Sequence, residues 1–252
     1  MPTCNIISRT LTLSFLLTVT LLQSVADIRA CSIKADEQII FFPTTGRFNN
    51  EQKAWKVIIH GWIFEPETDS PTVKSLSNTF GRLINLSEDE IESKIFKERS
   101  RLFFVDNERG KKITVRIRNK IYQLKPSRPN GHFEYEVTVP LEPSTKQDGQ
   151  NTSESIFFET VCDAGHKTYT GTARLINGPG ISVISDIDDT IKISEVLDRK
   201  ALIQNTFVKE FRDVPGMANL YRELERSGAV FHYVSASPWQ LYPPLSKFMA
   251  DR

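Results

Sequence analysis

The stretch I-S-V-I-S-D-I-D-D-T-I-K, residues 181–192, limits what this chain can fold into more than any other. Ile181, Val183 and Ile184 form a short β-branched run, which predicts a buried strand covered on both faces. Asp186, Asp188, Asp189 and Thr190 follow directly, so the strand delivers three carboxylates and a hydroxyl into one turn. Acids packed this closely repel one another and are costly to desolvate unless a cation or strong donors compensate.

A D-x-D-x-T turn after a strand points to phosphoryl chemistry. Asp186 is the candidate nucleophile, attacking phosphorus to form an aspartyl-phosphate that divides hydrolysis into two easier steps. Asp188 is the candidate acid/base, protonating the leaving alkoxide and later deprotonating water. Thr190 would hold the turn. Magnesium is the expected ion, bridging nucleophile and phosphate, with Asp186 and Asp188 as its side-chain ligands. The plainer alternative is an acidic loop or a helix N-cap, for which Asp and Thr are ordinary choices. A calcium-binding EF-hand loop is excluded, because no glycine stands at its sixth position and no ligand-spaced Glu closes it.

Residues 214–228, V-P-G-M-A-N-L-Y-R-E-L-E-R-S-G, predict a helix. Pro215 fits the first turn, Leu220, Tyr221 and Leu224 make an apolar stripe, and Gly228 stops it. A second strand, A-V-F-H-Y-V, then ends in S-A-S-P-W. Ser235 and Ser237 are thereby expected at the carboxyl end of a strand parallel to the first, the edge at which open α/β sheets bind ligands. There a serine can donate to a phosphoryl oxygen. As single residues both are also ordinary turn formers, with Pro238 favouring that plainer reading.

The set S-D-I-D-D-T-I-K, V-P-G-M and Y-V-S-A-S-P-W-Q-L-Y-P resembles the catalytic domain of magnesium-dependent phosphatidate phosphatases of the yeast actin-patch protein type, in the haloacid dehalogenase superfamily. The resemblance implies a Rossmann-like phosphatase domain with Asp186 as nucleophile, Asp188 as acid/base and Ser235 as the phosphate-binding residue. It also implies phosphatidate as substrate, with diacylglycerol and phosphate as products. In that superfamily a later lysine and one or two aspartates complete the site. Here Lys247 and Asp251 come before a third strand could form, so the resemblance is to the first part of such a domain.

The remaining sequence sets the context. Lys plus Arg number 32 against 31 Asp plus Glu, so the net charge of +1 gives no general pull toward nucleic acid. Residues 1–30 read as a secretory signal peptide: Arg9 near the start, an apolar core from Leu11 to Leu22, and Ser24-Val25-Ala26 as cleavage signal. That core is shorter than the roughly 20 residues a membrane span needs. Of the three cysteines Cys4 leaves with the leader, and Cys31 and Cys162 could pair in an oxidising compartment or stay as free thiols. Asn85-Leu86-Ser87 and Asn151-Thr152-Ser153 are glycosylation sequons in a eukaryotic host.

Strands are expected over 38–43, 55–64, 102–105, 113–117, 121–124, 132–139, 155–161 and 167–173. Short strands divided by turns such as Pro129-Asn130-Gly131 predict a sandwich. Within it Lys111, Lys112, Arg116, Arg118, Lys120, Lys125 and Arg128 form the most basic region, either a solvated face or one that meets anionic lipid. His60 lies on a strand and is assigned no role. Residues 73–99 predict a pair of amphipathic helices, with Ser87 as a cap, covering the β domain or lying on a membrane surface. Residues 194–212 hold a further helical stretch.

The predicted architecture is α/β plus β. A leader at 1–30 precedes a β-sandwich-like domain with inserted helices at 31–176 and a partial Rossmann-like, haloacid dehalogenase-type domain at 177–252. The expected activity is magnesium-dependent hydrolysis of phosphatidate. Soluble phosphomonoesters are the alternative substrates, and a non-catalytic secreted lipid-binding protein is the alternative of a different class.

Overall fold

The computed structural model describes residues 32–67, 70–141, 155–162 and 167–252. The expected leader, Cys4, Cys31 and the Asn151 sequon lie outside them. Among the described residues no helix is long and apolar enough to cross a membrane.

Strands β1 (Gln38–Phe42), β2 (Thr44–Asn49), β3 (Ala54–Glu65), β4 (Asp106–Asn107), β5 (Thr114–Ile117), β6 (Lys120–Gln123), β7 (His132–Pro140), β8 (Ser155–Thr160) and β9 (Thr170–Ile176) join in one nine-stranded sheet. The order is β1-β3-β2-β9-β8-β5-β6, with β4 and β7 also on β3. All pairs are antiparallel except β2 with β9. β3 is the spine: Gln38–Phe42 pair with its second half and Gly46–Asn49 with its first. Pro43, which has no N–H to give, separates the two partners.

The strands expected to make a sandwich thus form one continuous sheet, which curls. Phe41 of β1 meets Phe133 of β7 edge-on at 5.7 Å and Phe158 of β8 at 5.0 Å. The Tyr122 hydroxyl of β6 donates to the Thr138 carbonyl of β7, so the sheet's ends approach each other. Inside lie Val57, Ile59, Ile113, Val115, Phe133 and Ala173, all almost fully buried. Gly61 is required by this packing, since a Cβ there would stand 2.4 Å from Phe133 Cζ.

Some boundaries differ from expectation. Residues 102–105 are not a strand; Arg101–Phe103 form a 3₁₀ turn and the pairing begins at Asp106. β2 carries no strand signal of its own, because its T-T-G-R-F-N sequence lacks an apolar run.

The helical insert is three short helices, α1 (Pro71–Leu83), α2 (Glu88–Glu92) and α3 (Lys94–Ser100). Ser87 and Glu90 form the capping box at the start of α2. Its apolar face does not cover the β sheet. Leu86, Ile91 and Phe96 pack with Ile203 and Phe207 of α4 (Arg199–Phe207), because the stripe that buries them belongs to the C-terminal part.

That part contains two parallel strands, β10 (Ser182–Ser185) and β11 (Val230–Tyr233), joined through α4 and α5 (Met217–Arg226) and followed by α6 (Tyr242–Ala250). The expectation that Ile181 and Ile184 are buried is overturned. Ile184 is 77% and Ile181 62% exposed, because a two-stranded sheet offers no second layer to cover that face. α6 is also beyond the sequence reading: Pro243 and Pro244 look like breakers but sit in the first turn, where proline is tolerated.

Candidate functional site

The aspartate turn leaves β10 at Ser185. Its hydroxyl is buried, donating to the Asp186 carbonyl at 2.7 Å and sharing a 2.7 Å hydrogen bond with Tyr221 of α5. Beyond it the chain closes a compact loop, with Ile191 N–H and Lys192 N–H both donating to the Ile187 carbonyl. Ile187 points the other way, into a core with Phe211, Leu241, Leu245 and Phe248. An apolar anchor beneath the turn therefore holds alternate acids at the surface.

The three carboxylates have different surroundings. Asp186 is exposed, and its carboxylate accepts no hydrogen bond from the described residues. Asp189 has φ +57°, a left-handed conformation that aspartate tolerates better than most residues. It accepts the amide N–H groups of Ser194 at 2.7 Å, Glu195 at 2.7 Å and Val196 at 2.8 Å. The Val196 amide, with those of Ser194 and Glu195, keeps its carboxyl below the usual range.

Asp188 is half-buried within a polar network. Lys192 Nζ lies 2.8 Å from its Oδ1, Ser194 Oγ donates to the same oxygen at 2.5 Å, and Ser237 Oγ donates to Oδ2 at 3.1 Å. Burial pushes the Asp188 carboxyl up, but the Lys192 ammonium and the two hydroxyls outweigh it, so it titrates below the ordinary value. Lys192 itself is 2% exposed, donates also to Ser194 Oγ, and sits 5.0 Å over the Phe211 ring.

The serine arm arrives from β11. Ser235 Oγ accepts the Ser237 N–H at 3.0 Å, which aims the Ser237 hydroxyl at Asp188. Two residues on, Trp239 packs on the outer face of the β sheet, with ring centroids 4.5 Å from Phe42 and 5.0 Å from His60. His60 is thus a packing residue, 3.3 Å from His132 between ring nitrogens.

Of the expected residues, Asp188 and Ser237 are in direct contact and Ser235 braces them. Thr190 lies in the turn, its N–H donating to the Ile187 carbonyl at 3.3 Å, while Asp186 stands open beside the group. Sequence reasoning does not single out Lys192 and Ser194, although the spacing D-D-T-I-K-I-S places a cation four residues and a hydroxyl six residues after Asp188. Lys247 falls in α6 and Asp251 just after it, and the ammonium beside Asp188 is that of Lys192.

As a metal centre the group is sparse. Among the described residues no three His, Cys, Asp or Glu side chains gather to hold a metal ion. Both Asp188 oxygens accept hydrogen bonds, whereas the Asp186 carboxylate accepts none from the described residues. One carboxylate still fits magnesium in the form it often takes, with water and substrate phosphate completing the shell.

Much of the basic strand region is committed internally. Arg116 pairs with Glu159 at 2.8 Å, and Lys111 pairs with Glu37 and with Glu108. Cys162 is disulfide-bonded, the first of the two alternatives for it, while its expected partner Cys31 lies outside the described residues.

Residues 181–252 match the family model described as phosphatidate phosphatase APP1, catalytic domain. The chain is 36% identical over 84 residues to the phosphatidate phosphatase APP1 of Saccharomyces cerevisiae, covering 32% of this chain and 14% of that protein. It is 31% identical over 124 residues to an uncharacterized protein of Schizosaccharomyces pombe, covering 48% of this chain and 20% of that one. The chain therefore spans a fifth or less of the length of these curated relatives. No solved structure matches it. The aspartate turn and the serine arm both lie within the segment, residues 181–252, that is similar to the phosphatidate phosphatase APP1 catalytic domain.

Proposed function

We propose that this chain carries the nucleophile-bearing part of a phosphatase that hydrolyses phosphatidate to diacylglycerol and phosphate. The observation that carries the reading is the exposed Asp186 carboxylate at the end of β10, engaged by none of the described residues and lying inside the segment matched to the APP1 catalytic domain. Asp186 attacks phosphorus and the bond to the glycerol oxygen breaks, leaving an aspartyl-phosphate. Asp188, held as a carboxylate by Lys192, is in the form of a general base and takes the proton from the attacking water. Its complementary role as acid requires it to gain a proton before the alkoxide leaves. Ser235, Ser237 and Thr190 supply donors for the phosphoryl oxygens. Magnesium, held by Asp186 and Asp188, would neutralise charge between carboxylate and phosphate.

The same proposal takes 177–252 as the beginning of a haloacid dehalogenase-type domain and 31–176 as an accessory β domain of sandwich type. It also places the protein on the secretory route and at a membrane surface. The Cys162 disulfide supports the secretory route, since such bonds persist in oxidising compartments.

The test compares phosphate release from phosphatidate vesicles and from glycerol phosphate, with and without magnesium, for wild type and Asp186→Asn. Magnesium-dependent release from phosphatidate that vanishes in the variant is expected. Equal release from both substrates points to a soluble phosphomonoester, and release untouched by Asp186→Asn refutes the nucleophile.

A further inference from the structure

A cavity of about 370 Å³ lies where β9, β11, α5 and α6 meet, and neither Asp186 nor Asp188 is among its walls. That size falls within the range of small-molecule sites, which favour the junctions between units of a fold. Its walls are largely apolar. The rings of Tyr221, Phe231 and Tyr233 stack in a row, with successive centroids 4.6 Å and 6.1 Å apart, and Phe248, Ile191 and Met249 complete the lining. Tyr221 is also the hydrogen-bond partner of Ser185, so the cavity adjoins the strand end that carries the aspartate turn.

The charged groups of the lining do not balance. Three arginines stand against two carboxylates: Arg174 lies 3.5 Å from Glu225, and Arg252 lies 3.1 Å from Asp213. Both acids are therefore held by arginines, and a cationic ligand finds no unengaged carboxylate in the lining. Arg222 is left with neutral acceptors. Its Nε–H donates to the Ala218 carbonyl at 3.1 Å and its Nη2–H to Asn219 Oδ1 at 3.1 Å, and it pairs with no carboxylate among the described residues. Arg222 is exposed, whereas Phe248 is buried and Phe231 and Ile191 are half-buried. The cavity thus offers an unneutralised guanidinium at its rim and partly wetted apolar surface beneath.

We propose that this cavity is a binding site for a small amphipathic anion, with an apolar chain laid along Phe231, Phe248 and Ile191 and a carboxylate or phosphate head on Arg222. The chain takes the wetted ring surface out of water, which is the driving force for its entry. The head accepts charge-assisted hydrogen bonds from the remaining N–H groups of Arg222, whose planar fork matches two oxygens of either head. The site is separate from the aspartate turn, and its occupation does not depend on the phosphatase reading.

Equilibrium dialysis of the full chain against laurate and against dodecyl phosphate, each below its micelle concentration, tests this. Saturable binding of one molecule per chain is expected; the tighter of the two identifies the head as a fatty-acid carboxylate or a lipid phosphate. Arg222→Glu should weaken that binding about tenfold. Arg226→Glu, one turn further along α5 and outside the lining, should leave it unchanged. Ala218→Trp, which fills the cavity from α5, should abolish it; the comparison of Arg222→Glu with Arg226→Glu stands even if the tryptophan variant folds poorly. Asp186→Asn should bind as wild type does. Absence of saturable binding, dodecyltrimethylammonium bound as tightly as the anions, an equal loss in Arg226→Glu, or full binding by Arg222→Glu would each overturn the proposal. A loss in Asp186→Asn would also overturn it, by placing the anion on the aspartate turn. Anion binding without phosphatidate turnover refutes the phosphatase reading alone.

Discussion

Replacing Lys192 with methionine probes the central contact of the site. The methionine retains most of the apolar stem above Phe211 and deletes the ammonium that lies 2.8 Å from Asp188 Oδ1. At an effective dielectric of about 20, attraction at that separation is roughly 6 kcal/mol. Most of this is offset by the desolvation of two ions, one of which is 2% exposed. Removing one partner leaves the other's desolvation uncompensated, so Lys192→Met should cost about 3 kcal/mol. Asp188→Asn should cost a similar amount, since it strands the buried ammonium. The double variant removes both charges and should cost little more than either single change, an interaction energy of about 2 kcal/mol or more. Urea denaturation at pH 7, followed by circular dichroism, measures all four corners of the cycle. A loss below about 1 kcal/mol for Lys192→Met, or simple additivity, would refute the view that this pair organises the turn.

Two further outcomes follow from the β domain. His132 is buried, and burial, with His60 and Arg128 adding to it, pushes its pKa down to about 4. The unfolded chain, titrating near 6.5, takes up this proton first, so stability is complete above about pH 6.5 and falls as pH drops toward 4, by roughly 2–3 kcal/mol. His132→Phe should remove that component from a pH series of urea midpoints, and an unchanged pH slope would refute it. Gly61→Ala places a methyl against Phe133 and should lower stability by about 1–3 kcal/mol, read as a fall in Tm; an unchanged Tm would mean that the sheet yields more easily than its packing implies.

The elements most legible in the sequence are those with a local cause. β3 alternates apolar residues along much of its length, and α2 announces itself by Ser87 and Glu90 at capping-box spacing. The three aspartates and the serine arm are legible for the same reason, since strand ends place adjacent residues predictably. What is not legible depends on partners distant in sequence. Ile184 looks like a core residue and would be one in a covered sheet, and its exposure reflects the company β10 keeps. Lys192 looks like a surface cation until Phe211 closes over it. The apolar face of α1–α3 is plain from its spacing, but no local pattern could say that α4 would be its cover.

The engagement of those helices with α4 changes how the chain can be divided. Arg99 of α3 gives hydrogen bonds to the Thr206 and Lys209 carbonyls, and Gln204 gives one to Glu90 of α2. A piece of the first half in sequence is thus the floor on which the second half rests. Separating the two by a cut near residue 177 would strip Ile203 and Phe207 of their partners, so the C-terminal segment keeps this packing only together with helices encoded well before the cut.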